Sequence, residues 1–330
     1  MRVKNGIFPH ANTIICIEDS KLLKRFQYEI LYNTPTLQAA LDELNKTNYF
    51  RTYESADTRN YSMIIDRLME DTFDLLRDIA PSELIWKVFA LYYDIHNMKL
   101  VVKERLTGKR LDDLALSYGS YSLRTIRSAA VRESDDILKN ETLTKGFFEA
   151  LNLKDMYDID FVLDKTYFKT LIGIARAMGL PAIVEFVIER IDLFNLSAFF
   201  QARAAGRPGG YFPKAFSDQG TSPLEEWLNY ANAERLEEAE KFPLWLKYKP
   251  IWEQAESRRQ LSEELDVLID NYLIEKTKAC KLIAFGIAPI CAYFFNKFME
   301  IKNIRILLTG KESNYSTSEI RTRMRIPYEL

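Results

Sequence analysis

Glycine and proline are scarce in this chain, 12 and 11 of 330 positions, and so few breakers disfavour the many short strands of a sandwich or barrel and favour helices. Cysteine is rarer still. Cys16, Cys280 and Cys291 cannot all pair and have no metal-site spacing, which reads as reduced thiols packed in the core of a cytoplasmic protein. The start, Met1-Arg2-Val3-Lys4-Asn5, has no apolar signal segment behind its charges. No apolar run is long enough to cross a bilayer. The longest, Leu282 to Phe295, has 14 residues including Gly286 and Pro289, and is expected to form a buried helix kinked at the proline. Any membrane association must then go through a partner. An excess of one charge sign is also missing: a net charge of −2 argues against nucleic acid as the main partner.

Groups that trade protons, attack or hold metals are few. Of two histidines, His10 lies in an irregular N-terminal stretch and His96 in a slot that Phe194 and Lys302 fill elsewhere in the chain, as described below. Gly310-Lys311 is not a phosphate loop, since Arg305 stands where the loop needs a glycine and Glu312 where it needs Ser or Thr. His-Glu-x-x-His, the Glu-x-x-His pairs of di-iron bundles and Gly-x-Ser-x-Gly are all absent. No catalytic residue, metal site or cofactor is expected.

What the chain does have is repetition. Asp94-Ile95-His96-Asn97, Asp192-Leu193-Phe194-Asn195 and Glu300-Ile301-Lys302-Asn303 are near-copies, each inside a run of helical periodicity. Stepping back 31 positions from Asn97 and Asn195 reaches Asp66 and Asp164, each after an aliphatic residue. Stepping forward 8 gives Arg105 and Arg203, and forward 11 gives Gly108 and Gly206, which read as left-handed helix ends. In the third copy Leu308-Thr309-Gly310-Lys311 repeats Leu106-Thr107-Gly108-Lys109, but Gly310 comes 7 positions after Asn303, about one turn early. Tyr121-Ser122 with Ile126-Arg127 further matches Tyr315-Ser316 with Ile320-Arg321, and the middle copy offers only Ser222-Pro223.

Between these landmarks the pattern predicts helices almost throughout. Thr13 to Ile17 reads as a short extended piece, and Asp19 or Ser20 as the cap of a helix carrying Leu22, Leu23, Phe26 and Ile30. Thr36 and Ser82 read as further N-caps, Ala80-Pro81 as a break and Gly179-Leu180-Pro181 as a stop and restart. Gly206 to Pro223 reads as an exposed loop, Leu224 to Lys241 as an acidic helix, and Gln254 onward as helix again. The expected division is 1–133, 134–222 and 223–330, three helical modules in one body.

An acid and an Asn three apart share a helix face. Provided three times, Asp94 with Asn97, Asp192 with Asn195 and Glu300 with Asn303 are expected to satisfy backbone groups where units meet, in preference to serving as catalytic carboxylates. A helical enzyme built on the three acids, and an open helical-repeat scaffold for protein assembly, are the competing readings.

These units, together with Asp160-Phe161-Val162-Leu163-Asp164-Lys165-Thr166-Tyr167-Phe168 and Asn303-Ile304-Arg305-Ile306-Leu307-Leu308-Thr309-Gly310-Lys311, resemble the C subunit of bacterial and archaeal V/A-type ATPases, whose eukaryotic counterpart is the d subunit of the vacuolar enzyme. The resemblance implies an all-α protein of three pseudo-threefold-related helical modules forming a funnel with a central cavity. It implies a non-catalytic central-stalk role on the cytoplasmic face of the membrane, joining the rotor shaft (D/F-type subunits) to the membrane rotor ring and transmitting torque. Arg127, Arg207, Arg321, Arg323 and Arg325 are the candidate partner contacts, and all but Arg207 fall in 99–132 or 297–325, which are net basic.

Overall fold

The computed structural model describes residues 8–47, 50, 53, 56–132, 138–207, 209–231, 243–253 and 258–329, and among them there are helices and no strands. Two compact units emerge: one from Ser82 to Pro250, and one joining the chain before Ser82 to that from Ile251 onward.

In the first unit, helix α5 (Glu83–Thr107) begins where the Ser82 hydroxyl accepts from the Leu84 N–H, and ends at Gly108 with φ 69°. Helices α6 (Leu123–Arg132) and α7 (Glu141–Leu151) follow, then α8 (Met156–Met178), which stops at Gly179 with φ 71°. Pro181 at the first turn restarts the chain as α9 (Pro181–Ala204). Helix α8 lies against α5, α7 and α9. Its fully buried Ile159, Leu163, Leu171, Ile172 and Met178 each stabilise by about 1.5–3 kcal/mol. The unit continues through α10 (Phe212–Ala215), α11 (Leu224–Ala231) and α12 (Pro243–Lys247), and α13 (Lys249–Trp252) crosses the unit boundary.

The second unit holds α1 (Pro9–Asp19), α2 (Arg25–Tyr32), α3 (Leu37–Asn45), capped by Thr36, α4 (Tyr61–Ile79), α14 (Arg258–Lys278), α15 (Ile287–Glu312) and α16 (Thr317–Arg323). Helix α15 is its axis: α1, α3, α4, α14 and α16 all pack on it. It accordingly buries residues on every side, from Ile290 and Phe294 to Leu307 and Leu308, as a helix apolar all round must.

The pairing of helices follows the repeat. The aligned acids Asp66 on α4 and Asp164 on α8 bind Arg305 at 2.8 Å and Lys99 at 2.7 Å. Arg305 and Lys99 each stand two positions after a motif Asn, Asn303 and Asn97. So the helix leading into one copy of the motif lies against the motif helix of another copy, α8 on α5 and α4 on α15.

Several local expectations are corrected. Thr13 to Ile17 is helical within α1, and Leu22 and Leu23 are buried in the connection between α1 and α2, so neither Asp19 nor Ser20 is the N-cap of the next helix: Lys24 stands there, and Ser20 closes the C-terminal end of α1. Gly310 does not end its helix. It sits inside α15 because α16 crosses there, with Ile320 Cγ1 only 2.8 Å from where a Gly310 Cβ would be, and the left-handed turn falls at Asn314, φ 57°. Pro289 occupies the first turn of α15, where its missing N–H breaks no helical bond and no kink is needed. Leu282, Ile283 and Phe285, expected in that buried helix, are exposed ahead of it. The stretch after Gly206 is not an exposed loop, since Phe212, Ala215, Phe216 and Ser217 are buried there. Cys16 is exposed and not in the core. The acidic helix is described as α11, and its expected continuation over 232–241 lies outside the described residues, as does the expected start of helix at Gln254.

Candidate functional site: a repeated acid and asparagine clamp

Each motif Asn is buried on its long helix and reads one backbone residue further along with both ends of its amide. Asn97 donates from Nδ2 to the Leu116 carbonyl at 2.7 Å and accepts from the Leu116 N–H at 3.0 Å. Asn195 does the same to Ser217 at 2.8 and 2.8 Å, and Asn303 to Arg325 at 2.9 and 2.9 Å. A primary amide is suited to this, because it alone among the uncharged side chains offers a planar donor and acceptor to the N–H and C=O of one residue. Sequence separation is 19 for the first pair and 22 for the other two.

The acids hold the next stretch of the same segment. Asp94 accepts from the Tyr121 N–H at 3.0 Å and from Ser120. Asp192, fully buried, accepts from the Thr221 N–H at 2.7 Å and the Thr221 hydroxyl at 2.6 Å, with the Tyr248 hydroxyl at 3.4 Å and Lys247 Nζ at 3.6 Å. Ser120 and Thr221 therefore correspond, and the residue before each, Gly119 and Gly220, crosses directly over the carboxylate. A Cβ at Gly220 would stand 2.5 Å from Asp192 Oδ1. Gly220→Ala is expected to cost about 1–3 kcal/mol of stability, as overpacking of a close contact does. A urea midpoint equal to wild type would show that the segment yields freely.

The third copy diverges. The residue three after Arg325 is Tyr328, where Gly220 stands three after Ser217, and its hydroxyl donates to the Thr277 carbonyl at 3.2 Å. With no glycine over it, Glu300 instead accepts from the Leu23 N–H at 2.6 Å, fixing the connection between α1 and α2. Buried Lys297 stands 3.6 Å from the same carboxylate, and burial lowers that ammonium to about 8. The three acids thus each hold backbone in their own place.

This segment pairing also revises the equivalence of Tyr121-Ser122 with Tyr315-Ser316. In the first repeat the clamped stretch, 116–121, precedes the short helix α6; in the third, the short helix α16 precedes the clamped Arg325. The two sequence matches occupy different places in the chain's path. The equivalent of α6 is α11, which follows the clamped 217–221.

The five arginines are dispersed. Arg127 binds Glu104 at 2.6 Å and Asp112 at 2.7 Å, and these carboxylates hold its guanidinium strongly charged. Arg207 lies over the Tyr157 and Tyr211 rings. Arg321 pairs with Glu29 and covers Tyr32, and Arg323 covers Tyr315. Arg325 is buried, with Nε 2.8 Å from Asp270.

Helices stacked by repeat, with buried polar side chains fastening the protein's own connections, define a repeat protein of structural type. The chain belongs to the ATP synthase (C/AC39) subunit family, whose model matches residues 11–323. It is 24% identical to the C subunit of the V-type sodium ATPase of Enterococcus hirae, across 98% of this chain and 99% of that one. To the C subunit of the A-type ATP synthase of Methanococcoides burtonii it is 24% identical, across 83% and 80%. To that of Methanocaldococcus jannaschii it is 22% identical, across 96% and 85%. It is a subunit of the V/A-type rotary ATPases, and its partners are other subunits of that complex.

Proposed function

We propose that this subunit is the non-catalytic socket of the central stalk, three helical modules over 1–133, 134–222 and 223–330 arranged as a funnel. One opening receives the foot of the D/F-type rotor shaft, and the other side rests on the membrane rotor ring at its cytoplasmic face. In this role it transmits torque during ion transport or ATP synthesis. The observation that supports this reading over an open scaffold is the seat of α4. The leading helix of the first repeat lies on α15, the motif helix of the last, with Asp66 on Arg305 at 2.8 Å. A solenoid leaves its first and last repeats apart, whereas a closed set brings them together. No described helix is long and apolar enough to cross a membrane, which fits attachment through partners.

A coupling part has to deform little under load. Buried two-point clamps suit that need, because connections that would otherwise be the soft parts are bonded to the helices beside them. The reading is tested by co-purification of the tagged chain with ring and shaft subunits, followed by crosslinking from single cysteines placed in 206–223. Charge reversal of Arg321 and Arg323, both exposed on α16, is expected to weaken that assembly at low salt and not at high salt. Failure to co-purify with either the ring or the shaft would overturn the role.

A further inference from the structure

Seven positions before the motif Asn the first two repeats are apolar, with Ala90 and Ile188, and the third has Asn296. Asn296 is buried on α15, only 2% exposed. Its Nδ2 donates to the Ala292 carbonyl at 2.7 Å and to the Thr277 hydroxyl on α14 at 2.9 Å. That hydroxyl gives its own proton to the Ile274 carbonyl at 2.8 Å, so both groups facing the amide are acceptors, and the atom turned to them is the nitrogen. The other end, Oδ1, is a buried acceptor to which no group among the described residues donates. A buried amide oxygen calls for a donor, because burial removes its hydration.

Asn296 lines a cavity of about 10 Å³ at the third clamp, together with Glu300, Asn303, Tyr28 and Tyr328. Space of that size admits one molecule as small as water. The cavity lies where the third copy departs from the other two. In those, an N–H of the clamped segment, Tyr121 or Thr221, reaches the acid. In the third, the residue four after Arg325 is Glu329, as Thr221 is four after Ser217, and its N–H turns to the Pro327 carbonyl at 3.1 Å. Burial holds the Tyr28 phenol far above its usual range and the Glu300 charge adds to this, while the Asn303 amide donates to the phenol oxygen and works the other way. Tyr28 therefore keeps its proton and is able to donate it. Glu300 is the one ionisable carboxyl among the described residues lining the cavity, and Lys297 at 3.6 Å balances its charge, which favours a neutral occupant over a cation.

We infer that this cavity is a binding site for one ordered water, which donates to Asn296 Oδ1 and to the Glu300 carboxylate and accepts from the Tyr28 hydroxyl. Three bonds are what a buried water typically makes. In the third repeat the water supplies to the acid the donor that the segments following Gly119 and Gly220 supply in the first two, and it links α15 to α2. Asn296 is the mark of this site in the sequence: a polar side chain at a position that is apolar in the other copies.

The test is oxygen-17 relaxation dispersion of the solvent, which counts long-lived internal waters, on the full chain of wild type and Asn296→Leu. Leucine is close to asparagine in volume, and the Thr277 hydroxyl keeps its bond to the Ile274 carbonyl without the amide. Wild type is expected to hold one more long-lived water than the variant, with matching far-ultraviolet circular dichroism. Equal counts in two folded proteins overturn the site. Should Asn296→Leu fail to fold, a high-resolution crystal structure of the wild type decides: density within hydrogen-bond distance of both Asn296 Oδ1 and the Glu300 carboxylate supports the water, and none there overturns it. In crystals grown with rubidium as the cation, an anomalous peak at that place overturns the water in favour of a monovalent cation.

Discussion

Asn195→Ala is expected to destabilise the protein by about 2–4 kcal/mol, the cost of two buried backbone groups losing their partners. Asn195 and Ser217 are both buried, and the amide is bonded to the Ser217 N–H and C=O at 2.8 Å each. Removing it opens a small cavity that the adjoining Asp192 carboxylate cannot fill, because Asp192 is engaged by Thr221. Water entry would restore part of the bonding, which sets the lower end of the range. Asn97→Ala should cost less, since its segment at Leu116 is half-buried and solvent can replace the amide. The comparison is made by thermal and urea unfolding of both variants. An Asn195→Ala protein that melts with wild type would mean the clamp contributes no net stability. Because a loosened connection deforms under load, the same variant is expected to assemble yet couple poorly, read as ATP hydrolysis without matching ion transport.

The sequence makes the clamp's near half legible and hides its far half. Asp94, Asn97, Asp192, Asn195, Glu300 and Asn303 stand out because side-chain chemistry has to be repeated where a side chain does the bonding. Their targets, Leu116, Ser217 and Arg325, share nothing, because what is bonded is backbone that every residue possesses. One signal was available: Gly119-Ser120 and Gly220-Thr221 each lie three and four positions past the clamped residue. The helices themselves were legible from caps and periodicity, as at Ser82, Thr36, Gly108 and Gly179. Misreadings arose where tertiary packing overrode a local signal. Gly310 looked like a stop by analogy with Gly108, but at that place glycine is needed for the approach of Ile320. Phe212 and Phe216 lie in a stretch that Gly and Pro made look exposed, and the rings pack on each other, with Phe216 against Trp227. Arg325 shows the same limit. It belonged to a basic run in the sequence, and the fold turns it inward onto Asp270, so its reversal would damage the second unit before it affected any partner.

A pH dependence located at the first clamp is the other large expected effect. Burial raises the Asp94 carboxyl to about 7, outweighing the Tyr121 and Ser120 hydrogen bonds that favour the charged form. The ordinary value in an unfolded chain is about 3.9. Between these two values the folded protein keeps a proton that the unfolded chain releases. Stability contributed by the neutral acid is therefore complete below about pH 4, falls as pH rises towards 7, and is lost above it. Three units of difference correspond to at most about 4 kcal/mol. The group can titrate because an open cavity of about 550 Å³ reaches it. Among the described residues, the charged groups lining that cavity are Glu83 and Lys87 on α5, paired with each other at 2.7 Å, and Lys139 ahead of α7, with the Tyr121 hydroxyl, its pKa raised mainly by its own burial, beside them. Asp94→Asn removes the carboxyl and keeps an acceptor for the Tyr121 N–H. Its melting temperature is expected to match wild type near pH 4 and to exceed it by several degrees at pH 8. Melting curves for the two proteins that run parallel from pH 4 to 8 would show that Asp94 ionises in the folded protein at an ordinary carboxylate pH.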